Sequence, residues 1–323
     1  MDAMPSLPGL PSRAERIRGA VLGHLVGDAL GVPYEFHEPD ALPQRVTMTP
    51  PAGFPRAHAS VPPGTWSDDG AHMLALLDSL VTCGRLDPDD LARRFVAWYE
   101  RGAYAVGQQV FDVGIQTGRA ILALRAGAPA LAAGASDERA NGNGSLMRVL
   151  PLGLWHRGSD AALCADAADS SRITHAHVRS LVCCQVYSLW VRRLLDGADT
   201  ASGFEDAVAA FRAVHGARSA EVAEFETRVM PADATYTLGG SGYVVDTFRA
   251  AVLLNRDGCS YEEVVRAAIA LGHDTDTTAC VAGGIAGLVH GVGAIPDLWL
   301  AALREADVAS GLVERLLNGR HAA

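Results

Sequence analysis

The chain has 323 residues, 27 basic against 37 acidic, for a formal net charge of −10; about half of it is apolar and 20% is charged. That is a globular composition, not a disordered one, and the length admits one large domain or two. Every basic residue is arginine, which excludes a Schiff-base enzyme, a Walker-type phosphate loop and a lysine general base, and the acidic balance makes nonspecific nucleic-acid binding unlikely.

Along the chain, helical periodicity dominates. Ile17, Val21, Leu22, Leu25 and Val26 line one face of a first helix, which Gly31 and Pro33 stop. Asp28 falls in its last turn, where the helix dipole disfavours an anion. Glu35 follows between Tyr34 and Phe36; taken alone, a solvated surface glutamate is the simpler reading. Residues 36–66 hold seven of the sixteen prolines and no clear helix. Because this long irregular stretch ends at the most acidic motif, it is expected to border a site.

That motif is Gly64-Thr65-Trp66-Ser67-Asp68-Asp69-Gly70, ahead of a helix whose Met73, Leu76, Leu77 and Leu80 repeat at three and four residues. One N-cap needs one oxygen-bearing side chain, and three stand here in a row. Helical patterns follow near 88–101 and 108–126. Asn141-Gly142-Asn143-Gly144-Ser145 then enters a pattern over 145–156, and exposed amides at such a turn can cradle an anion. With no lysine beside it, a phosphate held there is bound, not transferred. Further patterns run over 174–195, 203–214, 240–255, 261–271, 276–290 and 303–317, with an irregular stretch at 215–240. The last acidic motif, Gly272-His273-Asp274-Thr275-Asp276-Thr277-Thr278, again precedes an apolar helix.

No strand alternation, internal repeat or linker is evident, so the expectation is an all-α protein of about a dozen helices in a single domain, 1–323. The six cysteines show no CxxC spacing and read as buried small hydrophobes of a reduced compartment. There is no secretion signal at the start and no apolar run of membrane-spanning length, so a soluble cytoplasmic protein is expected. Periodicity leaves the oligomeric state open.

The chemistry lies in the conjunction of the two acidic motifs. If they converge, Asp68, Asp69, Asp274 and Asp276 share one pocket and repel one another unless a cation intervenes. Carboxylates and hydroxyls are hard ligands for Mg²⁺ or Mn²⁺, and four carboxylates suit two ions better than one.

These motifs in this order, with Gly239-Gly240-Ser241-Gly242-Tyr243-Val244-Val245-Asp246 before the last, resemble the ADP-ribosylglycohydrolase family over roughly residues 16–292. The resemblance implies a compact all-α fold around two Mg²⁺ or Mn²⁺ ions, with Ser67, Asp68, Asp69, Asp274, Asp276 and Thr277 as ligands. Glu35 matches a mobile glutamate near the scissile bond. Asn141, Gly142, Asn143, Gly144 and Ser145 fall in the loop approaching the diphosphate and distal ribose. His175 matches a histidine near the phosphates or ribose, Tyr243 an aromatic on the adenosine side, and Asp112 a position contacting the modified side chain. Three positions depart from the pattern: Ser67 replaces threonine, His273 stands where glycine is usual, and Ile115 where arginine-directed members often have asparagine.

The implied activity is hydrolysis at the anomeric carbon of the distal ribose of an ADP-ribosylated protein or other acceptor, arginine by default. Glu35 and Asp276 are its expected catalytic groups. Other readings are a non-catalytic ADP-ribose binder or toxin-blocking immunity protein, a structural protein, and a dinuclear phosphohydrolase that would release AMP.

Overall fold

The structure, a computed structural model, describes residues 11–232, 235–256 and 258–319. The ends of the expected domain, 1–10 and 320–323, lie outside these described residues, as does the segment expected to lack a secretion signal. Helices account for the architecture. In order they are α1 (Arg13–Gly31), α2 (Asp68–Cys83), α3 (Pro88–Arg101), α4 (Ile115–Arg125), α5 (Leu150–Trp155), α6 (Asp160–Arg172) and α7 (Val178–Leu195). There follow α8 (Thr200–His215), α9 (Ala220–Glu224), α10 (Val244–Leu254), α11 (Tyr261–Ile269), α12 (Thr275–His290), α13 (Asp297–Ala302) and α14 (Ala306–Asn318). Among the described residues extended pairing is confined to two isolated bridges, Ala135 with His175 and Gly142 with Tyr243. No described helix is long and apolar enough to cross a membrane.

Local chemistry explains the boundaries. α1 opens on a capping box in which Ser12 and Glu15 satisfy each other's amides. α2 and α3 both end on glycines in the left-handed region, Gly84 and Gly102. Several starts come later than periodicity predicts. The pattern at 108–126 becomes helical only at Ile115, because Gly107, Gln108 and Asp112 have positive φ. The one at 145–156 starts at Leu150, with Pro151 in its first turn, and the one at 174–195 starts at Val178 behind His177, whose ring accepts an amide. Helix α6 escapes periodicity altogether. Its buried face is Leu163, Cys164, Ala167, Ala168, Ser170 and Ser171, mostly too small or polar to register. The irregular 215–240 contains α9 and a π turn over Phe225–Val229.

The pair α1 and α12 organises the molecule. Gly19, Gly23, Gly27 and Gly31 recur every fourth residue, so one face of α1 has no side chains along an i±4 row. A Cβ on Gly19 would stand 2.2 Å from the Gly287 carbonyl oxygen, one on Gly27 2.4 Å from that of Ala279, and one on Gly31 2.4 Å from the Cα of Asp276. The two helices therefore run antiparallel with backbones in contact. This closeness brings the C-terminal end of α1, with Asp28, against the N-terminal end of α12, with Asp276. Around them α7 forms a second buried axis: Cys183, Cys184, Tyr187 and Trp190 are all buried, and Tyr187 donates its hydroxyl to Val281 of α12 at 2.9 Å. All six cysteines are free; four are buried, but Cys83 and Cys259 are only half-buried, which corrects their reading as core hydrophobes.

Candidate active site

Three helix ends meet at one point. Asp28, at the end of α1, accepts from the Ser67 amide (2.9 Å to Oδ1) and from the Gly70 amide (2.8 Å to Oδ2), so it caps α2 from outside. That explains an anion in the last turn of α1: it answers to the positive end of α2, not to its own dipole. Ser67 completes the cap, its hydroxyl accepting the Asp69 amide at 3.2 Å. From the other side, α12 holds Asp69 through the Thr277 hydroxyl (3.3 Å) and the Cys280 thiol (3.3 Å). Thr275 donates to the Gly31 carbonyl at 2.8 Å, closing the junction with α1.

The two acidic motifs thus converge. Carboxylate oxygens of Asp28, Asp69 and Asp276 lie within 4.8 Å of one another, and so do those of Glu35, Asp274 and Asp276. Burial first, then mutual repulsion, pushes Asp68, Asp69 and Asp276 well above the ordinary carboxylate range. Asp28 rises to about 7 through burial, opposed by its bonds from Ser67 and Gly70. Asp276 uses Oδ1 to accept the Thr277 amide at 2.7 Å, while its buried Oδ2 has no hydrogen-bond partner. A buried carboxylate oxygen left without a donor is costly, and a divalent cation satisfies it. The donor set, carboxylates with serine and threonine hydroxyls, fits Mg²⁺ or Mn²⁺.

Above this floor opens a cleft of about 1240 Å³. Of the predicted residues, Glu35, Asp68, Asp69, Asp112, Asn141, Gly142, Asn143, Gly144, His175, Tyr243, Asp274 and Thr277 line it. Ser67 and Asp276 lie just beneath. Ser145 does not reach the cleft: its hydroxyl faces inward, accepting from Ser171 at 2.8 Å.

Glu35 is almost fully buried and meets His58 Nε2 at 2.5 Å. Its carboxyl is driven well above its usual value by burial and by Asp112 and Asp274. Asp112, in the left-handed region at φ 53°, is raised to about 6 by burial and by Asp274. On the opposite wall, the Asn143 amide nitrogen donates both to Asp274 (2.7 Å) and to Thr247 (2.9 Å), coupling the glycine-rich loop to the acidic floor. Arg148, fully buried, fixes that loop by donating to the Gly144 carbonyl at 2.6 Å. His175 is held neutral, its pKa lowered to about 3 by burial and by the charge of Arg148. The Arg179 guanidinium lies 5.9 Å from the Tyr243 ring centroid.

Sequence reasoning gave no role to three participants. In the sequence Asp28 reads only as an awkward anion, His58 sits in the proline-rich stretch without a motif, and Gln116 accepts the Gly142 amide at 3.0 Å from α4. The departure at His273 has a backbone correlate: its φ is 59°, the region glycine favours, and its peptide bridges loops by donating to the His37 carbonyl and accepting from Phe36. Ile115 is three-quarters exposed at the cleft margin.

A family model described as ADP-ribosylglycohydrolase matches residues 10–323. The chain is 31% identical over 287 residues to an ADP-ribosylarginine hydrolase, Tri1, of Pseudomonas putida, covering 88% of this chain and 73% of that one. It is 30% identical over 297 residues to the ADP-ribosyl-[dinitrogen reductase] glycohydrolase of Rhodospirillum rubrum, covering 91% and 92%. A solved structure titled "ADP-ribosylglycohydrolase-related protein complex" superposes with a TM-score of 0.75 at 31% identity, over 94% of this chain and 97% of that one.

Proposed function

The chain belongs to the ADP-ribosylglycohydrolase family, and on that premise we propose that it is a metal-dependent hydrolase. It frees ADP-ribose from a modified acceptor by cleaving the bond at the anomeric carbon of the distal ribose. The observation that carries this reading is the buried Asp276 Oδ2, without a donor among six further buried or half-buried carboxylates, none of which is ion-paired with an arginine among the described residues. Ser67, Asp68, Asp69, Asp274, Asp276 and Thr277 would hold two Mg²⁺ or Mn²⁺ ions, with Asp28 fixing the helix end that presents the first three. When bound, such ions act as Lewis acids and lower the pKa of water.

The remaining work falls to the chain. Glu35, whose environment favours its protonated form, can give a proton to the leaving group and take one from water. The acidic floor favours the positive charge of an oxocarbenium-like transition state. The neutral loop at 142–144 faces the diphosphate side, next to neutral His175, and Tyr243 supplies an aromatic wall for the adenosine side. Relatives named for ADP-ribosylarginine and for a modified protein make a protein arginine the first acceptor to test.

Peptides mono-ADP-ribosylated on arginine, serine or threonine, incubated with Mg²⁺ or Mn²⁺ and then with a chelator, test the reading by chromatography of the products. Free ADP-ribose is expected only with the cation present. AMP in its place would mean pyrophosphate cleavage, and no product from any acceptor would leave only a binding protein.

A further inference from the structure

Glu35 belongs to two groups of potential ligands at once. On the floor it stands with Asp274 and Asp276; on the wall it stands with His58 and Asp112, each set within 4.8 Å. We propose that His58 is a positioning residue that anchors Glu35 beside Asp112 on the wall of the cleft and competes with the Asp274–Asp276 pair for it.

The mount of His58 supports this. Its Nε2 meets Glu35 Oε2 at 2.5 Å, while Asp112 Oδ1 is 3.9 Å from the same nitrogen. Its ring packs against Phe36 and Phe111, with centroids at 5.6 and 5.0 Å. Its backbone sits in the left-handed region at φ 46°, a conformation that costs a non-glycine residue and persists only where the surroundings enforce it. Those surroundings are present: the Val61 amide donates to the His58 carbonyl at 2.8 Å, and the Ala57 amide to the Pro33 carbonyl at 3.0 Å. The second bond ties the histidine's loop to the turn that carries Glu35. To join a cation below, the Glu35 carboxyl must give up its bond to the imidazole, whichever of the two carries the shared proton, so the histidine competes with the floor for it.

The consequence for turnover rests on the function proposed above; the consequence for cation binding does not. The test is Mn²⁺ binding to the full chain by titration calorimetry, in wild type, H58F and H58Q, each repeated in an E35Q background. Phenylalanine keeps a ring against Phe36 and Phe111 but offers no hydrogen-bonding nitrogen; glutamine returns a polar amide near the place of Nε2. H58F should bind Mn²⁺ about tenfold more tightly, the usual worth of a hydrogen bond no longer competing. H58Q should recover most of the difference, and in E35Q the effect should vanish. Turnover of an ADP-ribosylated peptide should fall about tenfold in H58F with KM within about twofold. Should H58F fold poorly, H58N, whose amide is too short to reach Glu35, reads the same shift. Unchanged or weaker Mn²⁺ binding in a folded H58F or H58N, or an equal shift in E35Q, overturns the proposal. A protein that hydrolyses no substrate yet shows the tightening would lose the proposed function and keep this role for His58.

Discussion

Asp276 does two things with one carboxylate. Oδ1 accepts the amide of Thr277 and so fixes the first turn of α12, while the buried Oδ2 has no hydrogen-bond partner and is the oxygen proposed for a cation. Replacing it by asparagine removes the charge but keeps the Thr277 bond, so the fold should survive while the metal site fails. Calorimetry with Mn²⁺ should show at least one equivalent lost, and turnover should drop about a hundredfold or more; full stoichiometry in Asp276→Asn would remove it from the ligand set. Glu35→Gln separates the other role: cation stoichiometry should hold while kcat falls by about 10² to 10⁴, the range for a lost general acid or base. Asp276 stands out in the sequence because its motif carries more oxygen-bearing residues than a helix cap needs; Glu35, alone an ordinary surface glutamate, is singled out only by the family resemblance. Asp28 and His58 are given a role by neither. The cap that Asp28 provides belongs to a helix some forty residues further on, and the contact of His58 depends on the path of a loop with no periodicity.

At the scale of elements, most helices were legible because apolar residues recur on one face, as in α2 or α11. The junction that assembles the site was not, because its information is carried by absence of side chains. Gly19, Gly23, Gly27 and Gly31 weaken the helical signal of α1, yet they let α12 approach backbone to backbone. Gly27→Ala would put a Cβ 2.4 Å from the Ala279 carbonyl oxygen, against backbone that cannot rotate away. The helices must separate, at about 1–3 kcal/mol or more for overpacking, and separation there moves Asp28 away from Asp276. Thermal melts should show a clear loss of stability, and Mn²⁺ affinity should weaken in the same variant. Gly311, inside α14 with nothing within 4 Å of its would-be Cβ, is the control. Gly311→Ala should raise stability by about 0.5–1 kcal/mol through helix propensity alone. Equal effects at the two positions would mean that close approach does not govern the α1–α12 contact.

For the whole molecule, the acidic centre sets how stability follows pH. Asp28 and Asp112 have folded values of about 7 and about 6, and Glu35, Asp68, Asp69 and Asp276 are displaced in the same direction, so in the folded state these groups keep protons that the unfolded chain releases from about pH 4 upward. Stability therefore falls as pH rises through that interval. His24 and His175, lowered to about 3 by burial, act the other way: the unfolded chain binds their protons below about pH 6.5 and the folded one does not, so they add stability as pH climbs to that point. Between about pH 4 and 6.5 the two sets oppose each other. Above it only the carboxylates still count, and the metal-free protein should melt at progressively lower temperature from pH 6.5 to 8. Cations bind the ionised carboxylates, so their stabilisation should grow over the same range. At a hundredfold excess over Kd one site contributes about 2.7 kcal/mol, roughly 5 °C for a chain of this size. Melting temperatures taken from pH 5 to 8 with Mn²⁺ and with a chelator should diverge toward alkaline pH. Parallel curves would mean that the carboxylates beneath the cleft are not where the cation acts.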